Sequence, residues 1–129
     1  MDHFRYKNGN LHAEDVALSV IAAEVGTPFY VYSTATLERH FRLFDEALSG
    51  VDHLVCYAMK AASNQAIIKT LAALGAGMDV VSGGEYLRAV KAGVPKDRIV
   101  FSMIFHGLGL RKRLQNRGSF DTFLKTSIL

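Results

Sequence analysis

The sequence predicts an α/β protein whose parallel strands are joined by helices, and three observations carry that expectation. Between residues 53 and 102, short β-branched and aromatic runs alternate with apolar residues at helical spacing. Each helical stretch opens at a Ser or Asn and closes at a Gly. The connections are short, as expected for helical crossovers between parallel strands. Three such strands fit an open doubly wound sheet or an arc of a (β/α)8 barrel, and periodicity leaves both open.

The elements follow in order. From Ala13 to Val25, Leu18, Ile21, Ala22 and Val25 fall at i, i+3, i+4 and i+7, the stripe of an amphipathic helix, and Gly26 and Pro28 stop it. Phe29-Tyr30-Val31-Tyr32 predicts a strand from its aromatic and β-branched content. Ser33 or Thr34 caps a second helix in which Leu37, Phe41, Phe44 and Leu48 share a face, and Gly50 ends it. His53–Ala58 predicts a strand, and Ser63 or Asn64 then caps a helix carrying Ile67, Ile68, Leu71 and Leu74 up to Gly75. Met78–Val81 predicts the next strand. Ser82-Gly83-Gly84-Glu85 has capping-box spacing and opens a helix through Leu87 and Val90, which Gly93 and Pro95 stop. Arg98–Ser102 predicts a third strand. The chain thus divides into an N-terminal segment (1–33), an α/β segment (34–102) and a tail (103–129).

Composition bounds the function. The 129 residues suffice for one compact domain, and with 50% apolar and 21% charged residues the chain has the balance of a globular protein. No apolar run approaches the ~20 residues that cross a bilayer. Met1–Lys7 lacks the apolar core of a secretory signal, so cytoplasmic residence is the expectation. Cys56 stands alone, which excludes a disulfide framework, and at a strand it reads as a small hydrophobe. The net charge of +3 is concentrated late, where Arg111, Lys112, Arg113, Arg117 and Lys125 face the single acid Asp121. A short basic run with no stacking aromatics beside it is an electrostatic footprint only, so nucleic-acid binding is not the expectation.

The residues that carry chemistry are Tyr57-Ala58-Met59-Lys60-Ala61, with Leu71 and Gly75 beyond, and then Gly75–Glu85. They put one lysine at the carboxyl end of a strand, the end at which α/β barrels build their sites. A lysine enclosed by apolar neighbours becomes a usable nucleophile toward an aldehyde. Position alone also fits a solvated loop lysine. His53 reads as structural, and neither it nor His106 has a sequence partner suggesting a metal or a dyad.

The run Tyr57–Gly75 resembles the pyridoxal-phosphate attachment signature of the fold-type III decarboxylases of diaminopimelate, ornithine and arginine, and Gly75–Glu85 resembles the family's next block. Phe4–Leu11 and Val25–Tyr32 resemble the diaminopimelate branch. This resemblance covers residues 1–102. It implies an alanine-racemase-like (β/α)8 barrel, of which about three of eight βα units lie here, preceded by the N-terminal helix and strand. It implies pyridoxal 5'-phosphate as cofactor, with Lys60 as the catalytic, cofactor-linked lysine and Asp79 and Glu85 near the cofactor. Asp79 reads equally as a strand-end acid, Glu85 as a capping-box residue and Ser82 as a cap. It further implies decarboxylation of meso-2,6-diaminopimelate to L-lysine in a homodimer, with a non-catalytic pyridoxal-phosphate barrel as the alternative. The first 33 residues would pack with a C-terminal β-domain.

Two departures qualify the resemblance. Ala62 stands where the family usually has asparagine, and from Met103 onward the family pattern stops. The abrupt change to acid-poor sequence predicts that residues 103–129 are out of register on a disrupted reading frame. The family's phosphate loop and substrate contacts come later than this chain reaches, so this length alone is expected to be inactive.

Overall fold

The computed structural model describes residues 2–102. It opens on strands β1 (Phe4–Lys7) and β2 (Asn10–Ala13), paired antiparallel with Lys7 opposite Asn10. Asn8 and Gly9 make the reversal at φ of 50° and 79°, the two left-handed positions that a two-residue hairpin turn needs. Strand β3 (Val16–Ala17) returns along β2 and runs directly into helix α1 (Leu18–Val25).

This corrects the N-terminal expectation in two places. The helix expected from Ala13 begins only at Leu18, because Ala13, Val16 and Ala17 belong to the antiparallel ladder and Glu14 sits at φ 57°, outside the helical region. The strand expected at Phe29–Tyr32 does not form. Those residues have the right propensity but no ladder partner among the described residues, and Tyr30 is 91% exposed. The α/β part is therefore preceded by a three-stranded antiparallel sheet and a short helix.

Helix α2 (Thr34–Ala47) is capped as expected: the Thr36 amide donates to Ser33 Oγ at 3.0 Å. The same cap fastens the N-terminal sheet. Ser33 Oγ donates to Glu14 Oε1 at 2.8 Å, and the Ala35 amide donates to the same oxygen at 3.0 Å. Glu14 thus brings a carboxylate to the positive end of α2. The His3 amide donates to Thr36 Oγ1 at 3.0 Å, a second tie between sheet and helix.

The second sheet contains β4 (Cys56–Ala58), β5 (Gly77–Val80) and β6 (Ile99–Phe101), all parallel and in the order β4-β5-β6. Helix α3 (Gln65–Ala73), capped by Asn64, connects the first pair. Helix α4 (Gly83–Lys91), capped by Ser82, leads through a single 3-10 turn (Lys96–Arg98) to β6. The alternation read from the sequence is therefore present, with parallel strands and helical crossovers.

The core lies on one face of this sheet. Met59, Ile68, Met78 and Val80 are fully buried, and Tyr86 stacks on Phe101 with ring centroids 5.8 Å apart. Because side chains alternate along a strand, Met78 and Val80 face the core while Asp79 faces the other way. In register with Asp79 are Ala58 on β4 and Val100 on β6, and none of the three is buried. That second face has no covering layer among the described residues. Gly77 lies on it at a point of close approach: a Cβ there would stand 2.6 Å from Cys56 Sγ and 2.8 Å from the Arg98 carbonyl oxygen.

Candidate active site

The carboxyl ends of β4, β5 and β6 lie together because the strands are parallel. Lys60 stands there, two residues past the end of β4, and is exposed. The apolar enclosure expected around its amine is not supplied by the described residues, for the physical reason just given: the open face of the sheet is uncovered. The turn bearing Lys60 is nonetheless tightly held. Met59 before it is fully buried and its amide donates to the Asp79 carbonyl at 2.9 Å. The Ala61 amide donates to the Ala58 carbonyl at 3.1 Å, closing the turn.

Asp79 projects from β5 on the open face, one strand over from Ala58. Ser102, just past β6, donates its hydroxyl to Asp79 Oδ1. Glu85 lies at the start of α4, where its carboxylate accepts the Val81 amide at 2.7 Å while its own amide donates to Ser82 Oγ. Ser82 therefore caps α4, whereas the Glu85 carboxylate ties down the amide one residue before that cap and not the Ser82 amide of a reciprocal capping box. Among the described residues no hydrogen bond or ion pair joins Lys60 to Asp79 or Glu85. His53 holds the loop after α2, with Nε2 3.1 Å from Asp45 Oδ1 and Nδ1 2.9 Å from the Val51 carbonyl. These contacts give it a structural place. His106 and the basic cluster from Arg111 to Arg117 lie outside the described residues.

Burial sets the acidity of two groups beside the site. It pushes the Cys56 thiol up, helped by the Asp79 charge and opposed by Arg98, so the thiol stays protonated and is no nucleophile. Burial likewise pushes the Tyr57 hydroxyl up. Three residues near the turn make contacts that the sequence did not mark: Tyr57 OH donates to the Ala62 carbonyl, Arg88 Nη1 to the Ser63 carbonyl and Ser102 Oγ to Asp79. No spacing rule marks them, because each acts through a contact made only by the folded chain.

Comparison with known proteins decides the kinship. Residues 34–112 match the family described as "pyridoxal-dependent decarboxylase, pyridoxal binding domain". The chain belongs to the pyridoxal-dependent decarboxylases. The matched span starts at α2 and runs on past Met103, where the sequence reading lost the family pattern. A diaminopimelate decarboxylase of Pseudomonas fluorescens is 56% identical over 102 residues, covering 79% of this chain and 24% of that protein. Among solved structures, AQ1208 from Aquifex aeolicus superposes with a TM-score of 0.80 at 39% identity, covering 93% of this chain and 28% of that one. Diaminopimelate decarboxylase from M. jannaschii in complex with L-lysine gives a TM-score of 0.69 at 37% identity, covering 78% and 24%. The chain spans about a quarter of the length of the relatives it matches.

The residues present fit a pyridoxal group of such a decarboxylase. Lys60 offers a solvent-reachable primary amine, Ala58 below it is too small to block a planar ring, and Asp79 places an acceptor on the neighbouring strand. Among the described residues no helix is long and apolar enough to cross a membrane, and no three His, Cys, Asp or Glu side chains group as metal ligands.

Proposed function

We propose that this chain carries the cofactor-lysine portion of a diaminopimelate decarboxylase, with Lys60 as the amine that joins pyridoxal 5'-phosphate. One observation supports the reading above the others: within the span matched to the pyridoxal binding domain, Lys60 is the lysine at the carboxyl end of a parallel strand. In the whole enzyme the strands β4 to β6 would be an arc of a closed (β/α)8 barrel, whose remaining units would enclose the open face and desolvate Lys60. The first 33 residues, with Tyr30 and Tyr32 exposed, would pack with a C-terminal β-domain, and the enzyme would be a cytoplasmic homodimer.

When bound, the cofactor withdraws charge from the α-carbon of an amino acid, so the bond to the carboxylate breaks and CO2 leaves, a proton taking its place. This chain's own residues prepare that chemistry. Lys60 would supply the amine that joins the cofactor's aldehyde group. Asp79, fixed by the Ser102 hydroxyl, presents a carboxylate on the same open face and favours a protonated nitrogen near it. Glu85 acts at one remove, by fixing the start of α4 and with it the loop after β5. The substrate is meso-2,6-diaminopimelate and the products are L-lysine and CO2.

Incubating the protein with pyridoxal 5'-phosphate, reducing with borohydride and mapping the modified peptide tests the reading. The label is expected on Lys60 and absent from a Lys60→Ala variant. A label spread evenly over the exposed lysines would overturn it.

A further inference from the structure

We infer that Tyr57 and Arg88 are positioning residues for Lys60, acting through two consecutive backbone carbonyls of the turn that bears it. Tyr57 OH donates to the Ala62 carbonyl at 3.2 Å, and Arg88 Nη1 donates to the Ser63 carbonyl at 2.9 Å. The two donors come from different layers. Tyr57 lies on β4 beneath the turn, and Arg88 reaches over from α4, 25 residues further along the chain. Gln65 Nε2 donates back to the Arg88 carbonyl at 2.9 Å, so α3 and α4 are cross-tied at the same place.

The need for such a clamp follows from the turn itself. Residues 59 to 64 connect β4 to α3 without regular structure, and the Ala61 amide makes the bond that closes the turn around Lys60. On the strand side the turn is anchored by buried Met59. On the helix side Ala62 packs against the core through a single methyl group, and Ala61 and Ser63 bring only short side chains, which leaves this stretch of backbone some freedom. Two side-chain donors on adjacent carbonyls remove that freedom and set the direction in which the Lys60 side chain leaves. Tyr57 is suited to the task because its partly buried ring packs against the core, and its hydroxyl has the Ala62 oxygen as its acceptor. Arg88 presents a rigid planar donor, which lysine does not.

This rests on the reading of Lys60 as the cofactor amine, and the test separates the two. Tyr57→Phe removes one donor and keeps the ring, and Arg88→Met removes the other. Arg88→Lys keeps a cation able to reach the same carbonyl. Amide hydrogen exchange at Ala61 reports the turn without any cofactor. Borohydride-trapped pyridoxal phosphate reports the amine, with exposed Lys69, Lys91 and Lys96 as internal references. Ile99→Val, a core change on β6, controls for a general loss of stability.

Loss of one such hydrogen bond is expected to speed exchange at Ala61 about fivefold. The share of label on Lys60 relative to the reference lysines should fall in Tyr57→Phe and Arg88→Met, recover in part in Arg88→Lys, and stay unchanged in Ile99→Val. Unchanged exchange with the label still on Lys60 would overturn the clamp alone, as would equal acceleration in Ile99→Val. A parent protein labelled elsewhere would overturn the functional reading and the clamp's purpose together.

Discussion

Gly77→Ala should destabilise the parallel sheet, and the size of the effect follows from the strand spacing. Gly77 pairs with Cys56 on β4, and its amide donates to the Val55 carbonyl at 2.9 Å. An added Cβ would lie 2.6 Å from Cys56 Sγ, 2.8 Å from the Arg98 carbonyl oxygen and 3.1 Å from Leu54 Cδ2. The sulfur can rotate aside, but the Arg98 oxygen is backbone at the entry to β6, so strands on both sides have to part. Overpacking of this kind costs about 1–3 kcal/mol. Replacing a glycine by alanine returns about 0.4–1 kcal/mol through the unfolded chain. A net loss of about 1–2 kcal/mol is left, which for a domain of about 100 residues is a fall in Tm of about 4–16 °C. Thermal unfolding followed by far-UV circular dichroism measures it. Adding Cys56→Ala should recover part of the loss and not all, because the backbone contact persists. A Gly77→Ala protein as stable as its parent would refute the reasoning.

Two further predictions concern pH. Glu14 has its carboxyl held below the usual range by the Ala35 amide and then by the Ser33 hydroxyl, with His3 nearby. Its contribution is therefore present above its unfolded pKa and lost as pH falls through the folded value; urea unfolding from pH 7 to 3 should show a steeper acid loss in the parent than in Glu14→Gln. His53 is shifted the other way, raised by the Val51 carbonyl and by Asp45. Its contribution is complete below the unfolded histidine pKa and lost as pH rises through the folded value, so His53→Gln should cost stability at pH 5.5 and little at pH 9.

Much of the fold was legible because its signals are local. The caps Ser33, Asn64 and Ser82 and the apolar spacing of Ile67, Ile68 and Leu71 fix helices whatever surrounds them. The N-terminal sheet was missed although its signal was present: Asn8-Gly9 is the dipeptide that favours a two-residue hairpin turn, and it lies between the two short strands. Phe29–Tyr32 misled in the opposite direction, since strand propensity becomes a strand only beside a partner edge.

The candidate site was legible as residue types and not as geometry. Lys60 at a strand end came from the motif, whereas its exposure follows from a sheet face that has no covering layer among the described residues. Asp79 was read as either a strand-end acid or a neighbour of the cofactor, and its link to Ser102, past the next strand, has no local signal. The donors to the Ala62 and Ser63 carbonyls lie 5 residues before and 25 residues after them, and no periodicity connects them.

Peptide mapping of the borohydride-reduced pyridoxal phosphate adduct tests the central assignment most directly. The parent protein should carry the modification on the peptide containing Lys60, in excess over those containing Lys69, Lys91 and Lys96, and the Lys60→Ala protein should lose that excess. Equal cofactor uptake by parent and variant would contradict it.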